Sequence, residues 1–205
     1  MSRTAHNPEA TRRALLERAA AQIHRHGFQA ASVEAILAET GVTKGALYHH
    51  FRSKHELGLA VLDEVFREAM LADWQAALST CEHPVEALLE LLERKRAGLS
   101  VCAIEHGCPV NNLAQEMAGV DEPFRLAIEA VMESWRDLVA RALERGRSAG
   151  TVRADLDCRA EAVFITSLIE GAVGAAKTAR EPALLGSALA VLASHVEALR
   201  GPVRA

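Results

Sequence analysis

The sequence predicts an all-α fold of about nine helices, in which a three-helix N-terminal segment precedes a larger helical bundle. Apolar residues recur at three- and four-residue spacing almost throughout the 205-residue chain, and the alternating runs of half-buried strands are absent. Proline and glycine clusters divide this pattern into segments of helical length. Half of the residues are apolar, which is sufficient for a folded core.

The N-terminal segment has the signals of three short helices. The first is predicted over residues 8–26, where an apolar stripe stops before Gly27. The second begins after Ser32, a good N-cap residue, and Gly41 follows its end, where glycine readily takes the left-handed conformation. Thr43 can cap the third helix. The second and third helices therefore form a predicted helix-turn-helix, a unit that many DNA-binding proteins use.

The third helix carries an unusual glycine. Gly45 costs about 1 kcal/mol relative to alanine inside a helix, so its presence needs a compensating reason, and close approach to DNA supplies one. Leu47 and Phe51 can pack inward. The residues that remain available to a partner are Lys44, Gly45, Tyr48, His49 and His50.

The run from Thr43 to Phe51, Thr-Lys-Gly-Ala-Leu-Tyr-His-His-Phe, followed by Lys54, resembles the recognition helix of the TetR family of one-component transcriptional regulators. The resemblance implies that a palindromic double-stranded DNA operator is the partner. It implies a DNA-binding domain over residues 1–53 and a ligand-sensing and dimerisation domain over 54–205. In the family, the residues at Lys44, Gly45 and Ala46 face bases, and those at Thr43, Tyr48, His50 and Lys54 hold phosphates.

The charge distribution agrees with a polyanion partner for the N-terminal segment alone. The whole chain has a formal net charge of −4, but residues 1–55 carry eight lysines and arginines against four acids. Six of the nine histidines also lie there. The remaining chain is acidic, which argues against DNA binding outside the N-terminal segment.

The sequence predicts a cytoplasmic protein without a membrane partner. No stretch approaches about 18 consecutive apolar residues, and the N-terminus lacks the apolar core of a signal peptide. Four irregularly spaced cysteines indicate free thiols. No phosphate-binding glycine loop, nucleophile turn or His-Glu-x-x-His motif is present, so neither an enzyme nor a cofactor is predicted.

The C-terminal region is predicted to form a bundle that dimerises. A long helix is expected from Lys54 to the late seventies, followed by helices over residues 84–104, 109–118, 121–148, 158–179 and 182–199. The last two have apolar stripes wider than one packing partner requires, which favours a four-helix interface in a homodimer; a buried pair of core helices is the alternative. Two-fold symmetry suits a palindromic operator with half-sites about 34 Å apart.

Cys108 is the first sensor candidate. Pro109 suits the first helical position, so Cys108 is expected at an N-cap, where backbone amides and nearby His106 would acidify its thiol. The pattern Gly-Cys-Pro-x-x-Asn-Leu-Ala-x-Glu, residues 107–116, resembles a subgroup of the family that includes sensors of electrophiles and oxidants. That resemblance implies a sensor cysteine at Cys108 and a neighbouring lysine at Lys177. The alternative is a structural Cys108 and a reversible apolar or aromatic inducer.

Two further hypotheses concern the same region. A ligand cavity between bundle helices would have Trp135 among its walls, with polar groups chosen from Asn111, Asn112, Glu105, Glu170 and Thr166. A metal-responsive regulator would instead use the pairs Cys81 with His83 and His106 with Cys108, which have residue types that suit zinc. Their spacing lacks the usual pattern of structural sites, and no metal is predicted.

Overall fold

The computed structural model describes residues 8–202. Arg3, one of the basic residues counted in the N-terminal segment, lies outside this range. Regular structure within residues 8–202 is helical, apart from an isolated bridge between Val152 and Arg200. The predicted all-α fold is confirmed.

Nine helices and one separate helical turn, Val101–Ile104, make up the described chain. The helices are α1 (Pro8–His26), α2 (Val33–Thr40), α3 (Lys44–His50), α4 (Lys54–Val61, a π-helical turn Leu62–Phe66, and Arg67–Leu78), α5 (Pro84–Ala97), α6 (Pro109–Met117), α7 (Glu122–Ala149), α8 (Cys158–Ala179) and α9 (Pro182–Glu197).

The helix ends follow the predicted capping chemistry. The Ser32 hydroxyl accepts a hydrogen bond from the Ala35 amide at 3.2 Å, and Gly41 ends α2 with a left-handed φ of 66°. The Thr43 hydroxyl accepts from the Ala46 amide at 3.2 Å at the start of α3. These contacts satisfy backbone groups that a helix end leaves without intrahelical partners.

The predicted helix over residues 84–104 is interrupted. It ends at Ala97, and Gly98 follows as its C-cap. Ser100 then caps a separate turn, because its hydroxyl accepts a hydrogen bond from the Ala103 amide at 3.1 Å. A glycine and a serine two residues apart thus favour a break over a continuous helix.

The contacts divide the chain into two compact units. The first contains the chain through Ala69 together with Asn112–Glu129, and the second contains Met70–Asn111 and the chain from Ala130 onward. Residues 8–53, the described part of the predicted DNA-binding segment, lie in the first unit. The functional boundary between residues 53 and 54 remains a prediction.

Each unit has buried apolar residues of its own. In the first unit, α1 to α3 contribute Leu15, Ile23, Ile36 and Leu47, and Phe51 follows α3. In the second unit, the buried cluster includes Trp74, Leu88, Leu91, Trp135, Ile165 and Leu192. The rings of Trp74 and Trp135 meet edge to face, with centroids 5.0 Å apart.

Helix α8 is unusually apolar for its length among the described helices. By length and composition, α8 could cross a membrane, whereas the sequence predicted no such segment. Only 28% of its most apolar stretch is buried. The same test is passed by core helices of soluble proteins. Glu161 and Glu170 interrupt its apolar face.

Candidate nucleic-acid interface and effector site

The helix-turn-helix is held together by a few specific contacts in the first unit. The amide of Gly41 donates to the Leu37 carbonyl at 2.9 Å. The Thr40 hydroxyl donates to the Ile36 carbonyl at 2.9 Å and accepts from the Val42 amide at 3.3 Å. These bonds fix the turn between α2 and α3 and therefore the direction in which α3 leaves it.

Helix α3 buries one face and exposes the other. Leu47 and Phe51 are 0% and 1% exposed. The predicted DNA-contacting residues behave differently: Thr43, Lys44, Gly45, Tyr48 and His49 are exposed, and Ala46, His50 and Lys54 are half-buried. The large aromatic ring of Tyr48 is 42% exposed, which is unusual for a side chain that serves only as core.

Two predicted contact residues have protein partners in this structure. The ammonium group of Lys44 lies 3.8 Å from a carboxylate oxygen of Glu34. Such exposed pairs contribute little, so Lys44 can exchange this partner for DNA at small cost. The Lys54 ammonium donates to the Gln29 carbonyl at 2.8 Å and lies 5.0 Å from the centre of the Phe28 ring.

Helices α1 and α4 are joined beside α3. Arg12 and Glu64 make two parallel hydrogen bonds of 2.5 Å, and the Arg12 guanidinium lies 5.1 Å from the centre of the Phe51 ring. Because two parallel hydrogen bonds join the groups, the relative orientation of the guanidinium and the carboxylate is defined more tightly than by a single bond. It lies at the π-helical turn of α4.

The expected acidification of Cys108 is wrong. The residue does precede Pro109, the first residue of α6, and the amides of Val110 and Asn111 lower the pKa of its thiol. Burial and the neighbouring Glu170 carboxyl outweigh those amides, however, and raise the pKa of Cys108 to about 12. The sequence spacing predicted that Cys108 lies at a helix terminus. It did not predict that the thiol is buried or that an acid lies beside it.

Glu170 completes a polar cluster in the second unit. Its carboxyl group is hydrogen-bonded to the side chains of Cys108 and Asn111, and burial raises its pKa above the ordinary value. The buried Oε2 atom has no hydrogen-bond partner. We name Cys108, Asn111 and Glu170 the acid–thiol cluster.

The other sensor candidates lie on α6, on α7, on α8 and directly before α6. Lys177 lies on α8, seven residues after Glu170 and about 10 Å further along the helix axis. His106 is half-buried before α6, and Asn112 is half-buried on it. Trp135 is 2% exposed, and its indole Nε1 has no hydrogen-bond partner. The side chains of Cys108 and Asn111, two of the predicted residues, both bond the Glu170 carboxyl group.

The metal hypothesis finds no support in the described residues. Across residues 8–202, no group of three or more histidine, cysteine or acidic side chains could hold a metal ion. The Cys81 thiol instead lies 3.5 Å from the Leu78 carbonyl.

Two contacts in the first unit were missed by sequence reasoning. The Glu116 carboxylate accepts hydrogen bonds from the amides of Phe28 and Gln29, at 2.8 and 2.7 Å. The imidazole of His55 lies 2.9 Å from Asp121. Glu116 is the last residue of the motif that begins at Gly107. Its place in that motif was the sequence feature that could have indicated a functional role. Nothing in the sequence indicated its partners, which lie almost ninety residues away.

Two family profiles match the chain. Residues 15–61 match "Bacterial regulatory proteins, tetR family", and residues 84–192 match "Tetracyclin repressor-like, C-terminal domain". The chain belongs to the TetR family. Members of this family are soluble DNA-binding transcriptional regulators and not enzymes, and this TetR-family chain is a DNA-binding transcriptional regulator.

Two relatives have similar sequences, and a solved structure has a similar fold. The transcriptional regulator AcuR of Cereibacter sphaeroides is 33% identical over 82% of this chain and 77% of its own length. The transcriptional repressor KstR2 of Mycolicibacterium smegmatis is 31% identical over 75% of this chain and 73% of its own. A TetR transcriptional regulator from Chloroflexus aurantiacus superposes with a TM-score of 0.84 at 27% identity, over 95% of this chain and 98% of its own.

Proposed function

We propose that this TetR-family regulator is a homodimeric cytoplasmic repressor that leaves a palindromic operator when a small molecule binds reversibly at the acid–thiol cluster. The buried, unpartnered Oε2 of Glu170 carries the effector part of the proposal. A buried carboxyl oxygen without a partner is costly, and a ligand with a hydroxyl or amide group would satisfy it.

The reversible mode is favoured over covalent modification of Cys108. Thiolates are the nucleophiles in reactions with electrophiles, and a thiol whose pKa is raised to about 12 is almost entirely protonated near neutral pH. The protonated thiol is uncharged, so it can contact a ligand without reacting with it. The effector is therefore a molecule with an apolar body and at least one hydroxyl or amide group, which can accept a hydrogen bond from the protonated Glu170 carboxyl or donate one to it.

The DNA contacts are assigned to the exposed side of α3. Lys44, Gly45 and Ala46 lie in its first turn, where a small side chain and an absent one permit close approach to base edges. Thr43, Tyr48, His49, His50 and Lys54 supply hydroxyl, imidazole and ammonium donors for phosphates. Replacement of Lys44 should alter base preference, whereas replacement of Tyr48 should weaken binding to every duplex.

The dimer is assigned to α8 and α9. Among the exposed large apolar residues of these two helices are Val163, Phe164, Leu184 and Val191, between 42% and 67% exposed. Large apolar side chains exposed on two neighbouring helices are typical of an interaction site in a soluble protein, and a second copy would cover them symmetrically. The slight burial of α8 within one chain has the same explanation.

A screen for compounds that release DNA tests the effector site without a preselected inducer. A duplex selected by the wild-type protein from a random DNA pool is labelled for anisotropy, and a small-molecule library is screened for compounds that raise Tm and release this duplex. Compounds found in this way should lose at least about tenfold in apparent affinity for Glu170→Ala, because a hydrogen bond to a buried acid is lost.

Two variants serve as controls in that screen. Glu90→Ala removes an exposed acid of the second unit and should respond as the wild type does. Cys108→Ser should retain release. Abolished release in Cys108→Ser, with normal response in Glu170→Ala, would establish thiol chemistry and reject the reversible site.

A further inference from the structure

The turn between α1 and α2 forms a cradle for the carboxylate of Glu116. The amides of Phe28 and Gln29 donate to its two oxygens at 2.8 and 2.7 Å. Gly27 has a left-handed φ of 84°, and a Cβ there would lie 2.9 Å from Glu116 Oε2. The absence of a side chain at Gly27 therefore allows the carboxylate to approach the amides closely.

The same turn is held from the DNA-reading side by Lys54. Its ammonium group donates to the Gln29 carbonyl at 2.8 Å and lies over the Phe28 ring. Lys54 is the first residue of α4 and follows the last residue of α3 by four positions. Through this turn, a carboxylate on α6 is linked by successive hydrogen bonds to the residues that follow the recognition helix.

We infer that Glu116 is a positioning residue that latches α6 to the α1–α2 turn and holds the helix-turn-helix in the arrangement that binds operator DNA. The inference rests on the proposed function, in which the first turn of α6 bears Asn111 of the effector site. Glu116 lies in the last turn of the same nine-residue helix. We name its two hydrogen bonds to Phe28 and Gln29 the Glu116 latch.

The Glu116 latch would change operator affinity by changing the fraction of molecules that have the binding-competent arrangement. Hydrogen bonds to a charged acceptor are among the stronger ones in proteins, and their loss leaves α6 free to separate from the turn. When only a fraction of the molecules has the binding-competent arrangement, the apparent Kd rises by the inverse of that fraction. Displacement of α6 by an effector would lower operator affinity in the same way.

The sign of the effect separates the latch from simple electrostatics. Removal of a negative charge from a DNA-binding unit strengthens attraction to phosphates, so electrostatics alone predicts tighter binding after neutralisation of Glu116. Loss of the latch predicts weaker binding. Glu122→Gln provides the matched control, because Glu122 is an exposed acid of the same unit that pairs with Arg125 on its own helix.

The experiment compares Glu116→Gln, Glu116→Ala and Glu122→Gln in the full-length protein, using the duplex selected by the wild type from a random pool. Glutamine retains one acceptor oxygen, so we expect about fivefold weaker binding for Glu116→Gln, a larger loss for Glu116→Ala, and equal or tighter binding for Glu122→Gln. The salt dependence should not change, because no phosphate contact is removed. Binding by Glu116→Gln as tight as that of Glu122→Gln would overturn the inference.

Hydrogen exchange supplies a second readout, because a general loss of stability would speed exchange at amides throughout the chain, whereas loss of the latch would act at this turn. The amides of Phe28 and Gln29 should exchange faster in Glu116→Gln, and the selected duplex should slow their exchange in the wild type. Equal exchange in the variant and the wild type would contradict the latch. Compounds from the Glu170 screen should still raise the Tm of Glu116→Gln, so failure of the effector site and failure of the latch give different results.

Discussion

The thiol of Cys108 and the carboxyl group of Glu170 are hydrogen-bonded to each other in the second unit, and both groups are largely buried. Burial raises the pKa of both groups, and the proximity of Glu170 raises that of Cys108 further. The pair therefore favours its protonated forms. This arrangement differs from that of a reactive cysteine, whose thiol pKa is lowered by its surroundings.

Replacement of Glu170 by glutamine should make Cys108 more reactive. The glutamine removes the acid that raises the thiol pKa, although burial keeps that pKa above its ordinary value. A decrease of one pKa unit gives about ten times more thiolate at pH 9. The rate of iodoacetamide modification of the Cys108 peptide, followed by mass spectrometry between pH 8 and 10, measures this change. Identical rate profiles for wild type and variant would disprove the coupling.

The same substitution should change how stability depends on pH. Because the folded-state pKa of Glu170 is raised, the protonated carboxyl stabilises the fold fully below its unfolded pKa, and this contribution is lost as pH rises through the folded-state pKa. Glu170→Gln should therefore gain stability relative to wild type as pH rises from about 4 to 8. Thermal unfolding at several pH values tests the direction. Parallel curves would show that Glu170 titrates normally.

Gly45→Ala should separate stability from DNA binding. A Cβ at Gly45 meets nothing within 4 Å, and alanine is favoured over glycine in helices by about 0.5–1 kcal/mol. Denaturant unfolding should accordingly show unchanged or increased stability. Affinity for the selected duplex should fall, because the added methyl group occupies the side of α3 assigned to base edges. Undiminished DNA affinity would remove Gly45 from the interface.

Gly58→Ala should destabilise the first unit. A Cβ at Gly58 would lie 2.4 Å from a Phe28 ring carbon and 2.9 Å from Phe124. Both rings are buried, so the extra methyl group should cost about 1–3 kcal/mol through overpacking. Urea unfolding measures this cost, and Gly45→Ala is the matched control for helix propensity. No loss of stability would mean that the two rings move apart freely.

Val191→Asp should abolish the proposed dimer while leaving the chain folded. Val191 is 67% exposed in one chain, so a charge there should cost little within the monomer, but burial between two copies would be expensive. Sedimentation should show a monomer for this variant and a dimer for wild type. Val120→Asp, at a residue that is 73% exposed in the first unit, should remain dimeric. A dimeric Val191→Asp would place the interface elsewhere.

The sequence alone determined the features that depend on neighbouring residues. Apolar spacing determined the helices, Ser32 and Thr43 determined where α2 and α3 begin, and Gly41 determined where α2 ends, because these are local effects of side-chain capping and glycine backbone freedom. The short motif around α3 was enough to predict the family.

Tertiary structure decided the features that depend on distant partners. Spacing indicated an acidic thiol at Cys108, but burial and Glu170 reverse that shift, because desolvation and a facing acid outweigh two backbone amides. The structure likewise brings Glu116 to the amides of Phe28 and Gln29. Such contacts join residues that are many tens of positions apart in the chain, so local residue patterns do not predict them.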